Sequence, residues 1–301
     1  MATWPATSPI RKKQRMKLMS YSLAGRDTWG AVVDGGVVEL AARTGHATLA
    51  DFIASADFAR RDALVAGLAA DVPLSGVHYL PVIPKPEKIV CAVRNYMDHH
   101  QEVLAAGMQR ELSEQPPIFL RVWRSQTPHE GPIVRPRVSE SLDWEGELAV
   151  IIGRSGRDIS EADAWKHVAG YSCYNDASVR EWQFHAKQIA SGKNFESTGA
   201  FGPWMVTADE IAPGRELKLE TRLNGEVVQS SHTGHMIFSI PRLIAYASTI
   251  FTLVPGDVII TGTPAGVGWS KKPPRFMKPG DVVEVEIEAI GLLRNPVVAQ
   301  D

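Results

Sequence analysis

Three carboxylates stand at alternate positions in "DWEGELAVIIG", residues 143–153: Asp143, Glu145 and Glu147. The apolar run 148–152, closed by Gly153, reads as a strand with a buried end. Positions i, i+2 and i+4 of a strand share a face, so this reading points all three carboxylates the same way. Two unit charges 4 Å apart repel by about 4 kcal/mol at an effective dielectric of ~20. Water at an exposed strand end, a raised pKa, a basic partner or a bound cation would each relieve that. A second stretch, "GYSCYNDASVREWQ" at 170–183, places Asp176 after a short apolar strand, with Arg180 and Gln183 in the segment after it. If Asp176 joins Glu145 and Glu147, three oxygen donors surround one point. Hard divalent cations take that ligand set, and the lack of Cys and His speaks against zinc.

Other residues have the types for proton transfer or anion binding. His99 and Glu102 lie three apart in "NYMDHHQEVLAAG", on one face if the segment is helical, which suits a carboxylate orienting an imidazole base. A surface histidine beside a charge has the same spacing. Lys193 in "SGKNF" could stabilise developing negative charge or be a solvated loop lysine. Arg180 could grip a substrate carboxylate through its fork or pair with Asp176, and Gln183 could hydrogen-bond a substrate oxygen. "TGTPAGVG" at 261–268 lacks the Lys-Ser/Thr ending of a nucleotide-binding loop. It reads as a tight turn that offers backbone N–H groups and the Thr263 hydroxyl to a carboxylate, or one built for shape alone. His232 and His235 have no third metal-type partner in sequence and read as structural.

The elements that must position these groups are mostly short strands. "TWGAVVDGGVVEL" predicts a hairpin turning at Asp34-Gly35-Gly36, and the stretch 47–70 predicts helix. Three prolines in the nine residues 80–88 predict a linker. Beyond it come the strand "KIVCAV", a helix over "NYMDHHQEVLAAG", a capping box at Ser160–Asp163 and an Asn-Gly hairpin in "LNGEVVQ". A helix opens on Pro241, and two Pro-Gly-Asp turns each launch a strand. The second strand alternates, with Val283, Val285 and Ile287 on one face and glutamates on the other. This predicts a β-rich α+β body over 84–301 behind a small N-terminal α+β domain at 16–83. The acid-free start, residues 1–15, reads as a disordered extension.

Taken together, "NYMDHHQE", "DWEGELAVIIG", "GYSCYNDASVREWQ", "SGKNF", "FGPWMVTADEI", "LNGEVVQSSHTGHMIF", "LVPGDVIITGTPAGVG" and "PGDVVEVEIEAIG" resemble the fumarylacetoacetate hydrolase family from about Lys88 to Val298. The resemblance implies a mixed β-sandwich roll, a homodimer, and Mg²⁺ or Mn²⁺ on Glu145, Glu147 and Asp176. It implies that His99 and Glu102 form a lid dyad that activates water and that Lys193 belongs to the site. Where many relatives carry a lysine before the acidic strand, this chain has Arg121, a substrate-binding residue by the resemblance, which keeps the charge but offers a planar fork and so a different substrate contact. The expected activity is hydrolysis of a carbon–carbon bond in a 2,4-dioxo acid of the acylpyruvate type, such as maleylpyruvate or fumarylpyruvate, with release of pyruvate. Oxaloacetate decarboxylation and diketo-acid isomerisation or hydrolysis use the same chemistry. A non-catalytic metal-binding module would have no need of His99, Lys193 or Arg180.

Composition agrees with such an enzyme. The 301 residues are 44% hydrophobic and 22% charged, with net charge −2 and no basic stripe for nucleic acid. No apolar run approaches the ~18 residues of a membrane-spanning helix. Cys91 and Cys173 form no framework, which suits a reducing cytoplasm.

Overall fold

The computed structural model describes residues 15–105, 107 and 111–301. The expected extension over 1–15 falls, apart from Arg15, outside them. The N-terminal hairpin forms as its turn residues require. Arg26–Val33 and Gly36–Glu39 fold back through Asp34 and Gly35, both at positive φ, 46° and 80°. The helical stretch breaks into Leu49–Ala54, a 3₁₀ turn at Ala56–Arg60, and Arg61–Val65. Ser55 causes the first break: its backbone is extended and its hydroxyl accepts from Asp57 N, restarting the chain as a cap.

Hydrogen bonding does not stop at the expected boundary between the N-terminal and main units. Lys17–Leu23 pairs with Gly199–Thr207, so one twelve-stranded sheet spans both. From Gly199–Thr207 the sheet continues through Val168–Asp176, Gly146–Ile152, Val258–Ile260 and Ile89–Ala92 to Ile118–Arg121. The proline-rich stretch crosses between the two units as irregular backbone and buries Val82 and Ile83. A second sheet orders Glu226–His232, Lys218–Leu223, Val282–Ile287, Gly291–Ala299 and Ile133–Arg135. Its inward residues Val283, Val285 and Ile287 are buried, as their alternation predicts.

Gly146–Ile152 is central to both cores, which explains its uninterrupted apolar run. Leu148, Val150 and Ile152 pack in the cluster that contains Val283, Val285 and Ile287. Ala149 and Ile151 face the other way, into a cluster with Leu18, Trp29 and Phe52. All seven residues of the strand are buried. A strand covered on both faces and hydrogen-bonded on both edges is a stiff place to root a site.

Candidate active site

Glu145 and Glu147 flank Gly146 at the start of this strand. A Cβ on Gly146 would meet Thr221 Oγ1 at 2.1 Å, so glycine alone lets the strand approach the second sheet there. The antiparallel neighbour Val168–Asp176 pairs Asn175 with Gly146 and ends on Asp176, which delivers the third carboxylate. Ligand oxygens of Glu145, Glu147 and Asp176 all lie within 4.8 Å of one another, and all three residues are buried.

Asp143 does not join them. The chain forms a separate two-residue strand, Leu142–Asp143, paired with Ser178–Val179, before Gly146–Ile152 begins. The expected three-member alternation therefore fails at its first member. Asp143, wholly buried, accepts from Arg180 Nε at 2.8 Å and from the backbone of Gly268 and Trp269.

Three cations surround the carboxylates. Lys193 Nζ stands 2.6 Å from both Glu145 Oε2 and Asp176 Oδ2. Arg180 Nη1 donates to Glu145 Oε1 at 2.6 Å and to Gln183 Oε1 at 2.9 Å. Its fork is thus turned to Asp143 and Glu145, and Asp176 receives Arg121 instead. Arg121 donates to Asp176 Oδ1, to Thr198 Oγ1 at 2.7 Å and to Ser125 Oγ at 3.1 Å. Its side chain is fully buried behind Asp176, so the expected substrate contact becomes a brace for a carboxylate.

Burial raises every buried carboxyl, and the neighbours decide the outcome. At Glu145 the charges of Lys193 and Arg180 outweigh burial and hold the group down at about 2. Glu147 is pushed well up, by burial first and then by Asp176 and Glu145, although it accepts from Gly262 N. Lys193 is held protonated: burial opposes its charge, but Asp176 and Glu145 prevail. Three convergent carboxylates, one of them short of positive charge, fit a hard divalent cation by the chemistry of the donor set.

On the cavity's other wall, the helix Met97–Ala105 presents His99. His99 Nδ1 lies 2.9 Å from Glu102 Oε2, and a carboxylate only accepts, so Nδ1 carries a proton and Nε2 is left clear of Glu102. Glu102 Oε1 accepts from Gly266 N at 2.9 Å and from Ser270 Oγ. Burial raises Glu102, but His99 and these donors outweigh it and leave its pKa lowered. The glycine-rich loop does offer its N–H groups to carboxylates, and they are the protein's own: Gly262 to Glu147, Gly266 to Glu102, Gly268 to Asp143. Thr263 lines the cavity, but its hydroxyl donates to Gly146 O at 3.0 Å and accepts from Gln229.

Lys193, Arg180, Gln183, Thr263, His99, Glu145 and Glu147 all line one cavity, whose outer wall includes Phe119, Ile189, Phe184 and Trp269. Asn95 escaped the sequence reading. It ties the base of the His99 helix to Thr261 O at 2.8 Å and to Phe238 O at 2.9 Å. Arg94, on the cavity wall at φ 52°, also left no signal. The rings of His232 and His235 lie 3.7 Å apart, tilted by 45°, outside the site, and the acidic triad is the sole three-residue ligand grouping among the described residues.

A sheet roll carrying a buried carboxylate triad under a His–Glu helix defines a class of protein. A family model described as fumarylacetoacetate (FAA) hydrolase C-terminal matches residues 88–298, and the chain belongs to the fumarylacetoacetate hydrolase family. Among its relatives, human mitochondrial oxaloacetate tautomerase FAHD2A is 42% identical over 272 residues, covering 88% of this chain and 84% of that protein. The structure of a fumarylacetoacetate hydrolase from Exiguobacterium antarcticum is 35% identical with a TM-score of 0.77, covering 95% of this chain and all of that one. Maleylpyruvate hydrolase from Sphingobium sp. SYK-6, solved with manganese(II) and pyruvate, is 29% identical with a TM-score of 0.78 over 95% of this chain and 100% of its own.

Proposed function

We propose that this chain is a divalent-metal-dependent enzyme of 2-oxo acids whose reaction is the interconversion of the enol and keto forms of oxaloacetate. The observation that carries this reading is the 42% identity to an oxaloacetate tautomerase across 84% of its length. Glu145, Glu147 and Asp176 would hold Mg²⁺ or Mn²⁺. Such an ion, when bound, supplies Lewis acidity that favours negative charge on a 2-oxo acid's oxygen.

The protein's own groups supply the proton transfers. Neutral His99 takes the enol hydroxyl proton at Nε2. As an imidazolium held by Glu102 it returns that proton to the neighbouring carbon, with no net change in protons. Lys193 keeps its proton and places its charge beside the oxygen that gives one up. Gln183, whose Oε1 is taken by Arg180, turns its NH₂ to substrate.

Cleavage of an acylpyruvate is the second reading. The likeness to maleylpyruvate hydrolase supports it, as does the apolar outer wall of Phe119, Ile189, Phe184 and Trp269, which would cover an acyl group. One set of assays separates the readings. Enol oxaloacetate and acylpyruvates are followed by ultraviolet absorbance with Mg²⁺ or Mn²⁺ and with chelator, alongside a coupled assay for pyruvate. Faster, metal-dependent loss of the enol without pyruvate is the expected result. Pyruvate from an acylpyruvate would install the hydrolase, and pyruvate with carbon dioxide from oxaloacetate a decarboxylase. The proposal includes a homodimer, a cytoplasmic setting, and neither nucleic acid nor membrane as partner. Among the described residues no helix is long and apolar enough to cross a membrane.

A further inference from the structure

Asp143 has no place in the triad, yet it is fully buried and saturated with donors. Oδ2 accepts from Arg180 Nε at 2.8 Å, with Arg180 Nη2 at 2.7 Å, and from Trp269 N at 2.9 Å. Oδ1 accepts from Gly268 N at 2.7 Å and Trp144 N at 2.9 Å. A Cβ at position 268 would sit 2.7 Å from Oδ1 and 1.8 Å from Arg275 O, so a glycine is needed for the loop to close on this carboxylate.

Two chains of contacts leave Asp143 in opposite directions. Through Arg180, whose Nη1 reaches Glu145 Oε1 at 2.6 Å, it bears on the triad. Through loop 266–270, whose Gly266 N and Ser270 Oγ grip Glu102 Oε1, it bears on the His99 helix. Glu102 in turn fixes His99 Nδ1. We propose that Asp143 is a positioning residue that couples the carboxylate triad to the docking of the Met97–Ala105 helix. It is the shared anchor of both, so an ion that orders Glu145 tightens the loop that receives Glu102. A carboxylate suits this post because a single group must accept from a guanidinium and from two backbone N–H groups on another segment. An amide at the same place offers one accepting oxygen and sets an NH₂ against one of those donors.

The inference rests on the metal-dependent reading only for the ion used as its probe, and its readout needs no substrate. Backbone hydrogen exchange is followed over the helix residues 97–105 in the full chain, with and without Mn²⁺, while Mn²⁺ affinity is measured separately. In the unaltered protein, Mn²⁺ should slow exchange of the helix by about tenfold, a coupling of ordinary size. Asp143→Asn should abolish that response and raise helix exchange in the metal-free protein, with the strand Gly146–Ile152 still protected. Ser270→Ala is the second variant: it removes a hydroxyl that reaches Glu102 Oε1 and Val267 O and hydrogen-bonds neither Asp143 nor the triad. It should keep Mn²⁺ affinity within about twofold yet lose most of the Mn²⁺-induced protection. In turnover, both variants should lose kcat more than KM. Mn²⁺ that binds the unaltered protein without protecting the helix overturns the coupling. So does an intact response in Asp143→Asn, or exchange in it that rises evenly along the whole chain. If Asp143→Asn does not fold, undiminished protection in Ser270→Ala is enough to reject the idea. Failure of Mn²⁺ to bind the unaltered protein rejects the metal-dependent reading itself.

Discussion

In the proposed reaction His99 and Glu145 serve different steps, and their variants should separate. His99→Ala should keep Mn²⁺ affinity within about twofold and lose roughly 10²–10⁴-fold in turnover, the usual worth of a placed acid–base group. Glu145→Ala should lose the ion itself, seen by calorimetry as well as by activity. Arg121→Lys keeps a charge but surrenders the fork that serves Asp176, Thr198 and Ser125. It should cost about 2–4 kcal/mol in denaturant unfolding, near the range for a broken buried ion pair. At this scale the sequence was partly legible. The alternation of Glu145 and Glu147 follows from strand periodicity, but the break that removes Asp143 lies in pairing with Ser178–Val179, which spacing does not show. Which arginine meets which carboxylate was also hidden, because Arg121 and Arg180 reach Asp176 and Glu145 across 55 and 35 residues of chain.

Among the elements, one strand and one helix divide the labour. Gly146–Ile152 is buried on both faces and carries one triad member beside another, so it should tolerate little. Gly146→Ala drives a methyl into Thr221 Oγ1 and should destabilise the protein by about 1–3 kcal/mol, the cost of overpacking. The helix Met97–Ala105 is held at its tip by Glu102 on the loop and at its base by Asn95. Glu102 has a lowered pKa, so its docking contribution is complete above the usual carboxylate range. That contribution fades as pH falls through the lowered value. Exchange of the helix, corrected for its intrinsic dependence on pH, should stay flat from neutrality to about pH 5 and rise only in stronger acid. Glu102→Gln should flatten that rise. The helix and both strands of the hairpin were readable from periodicity and turn residues, whereas the first break within 47–70 came from one serine that caps better than it propagates.

For the whole molecule, the sheet's continuity governs stability. Leu18, Trp29 and Phe52 pack in one cluster with Ala149 and Ile151, and Lys17–Leu23 covers an edge of Gly199–Thr207. Residues 84–301 made alone would expose that edge and that apolar face together. They should aggregate, while the full chain should melt in a single transition by calorimetry. The proline-rich stretch suggests two units in sequence. Strand pairing between distant segments is what joins them, and no local pattern announces it.

The charges around the triad carry one more consequence. Asp143, Glu145, Glu147 and Asp176 face Arg121, Arg180 and Lys193, one more acid than base within the buried cluster. Burial pushes Glu147 toward its protonated form, which trims that excess. A divalent ion reverses its sign. On the proposed function, loading should therefore be ordered, ion first and organic acid second, each strengthening the other by the same factor. Pyruvate offered to the chelated protein should leave no calorimetric trace, and pyruvate at saturation should sharpen the titration of Mn²⁺.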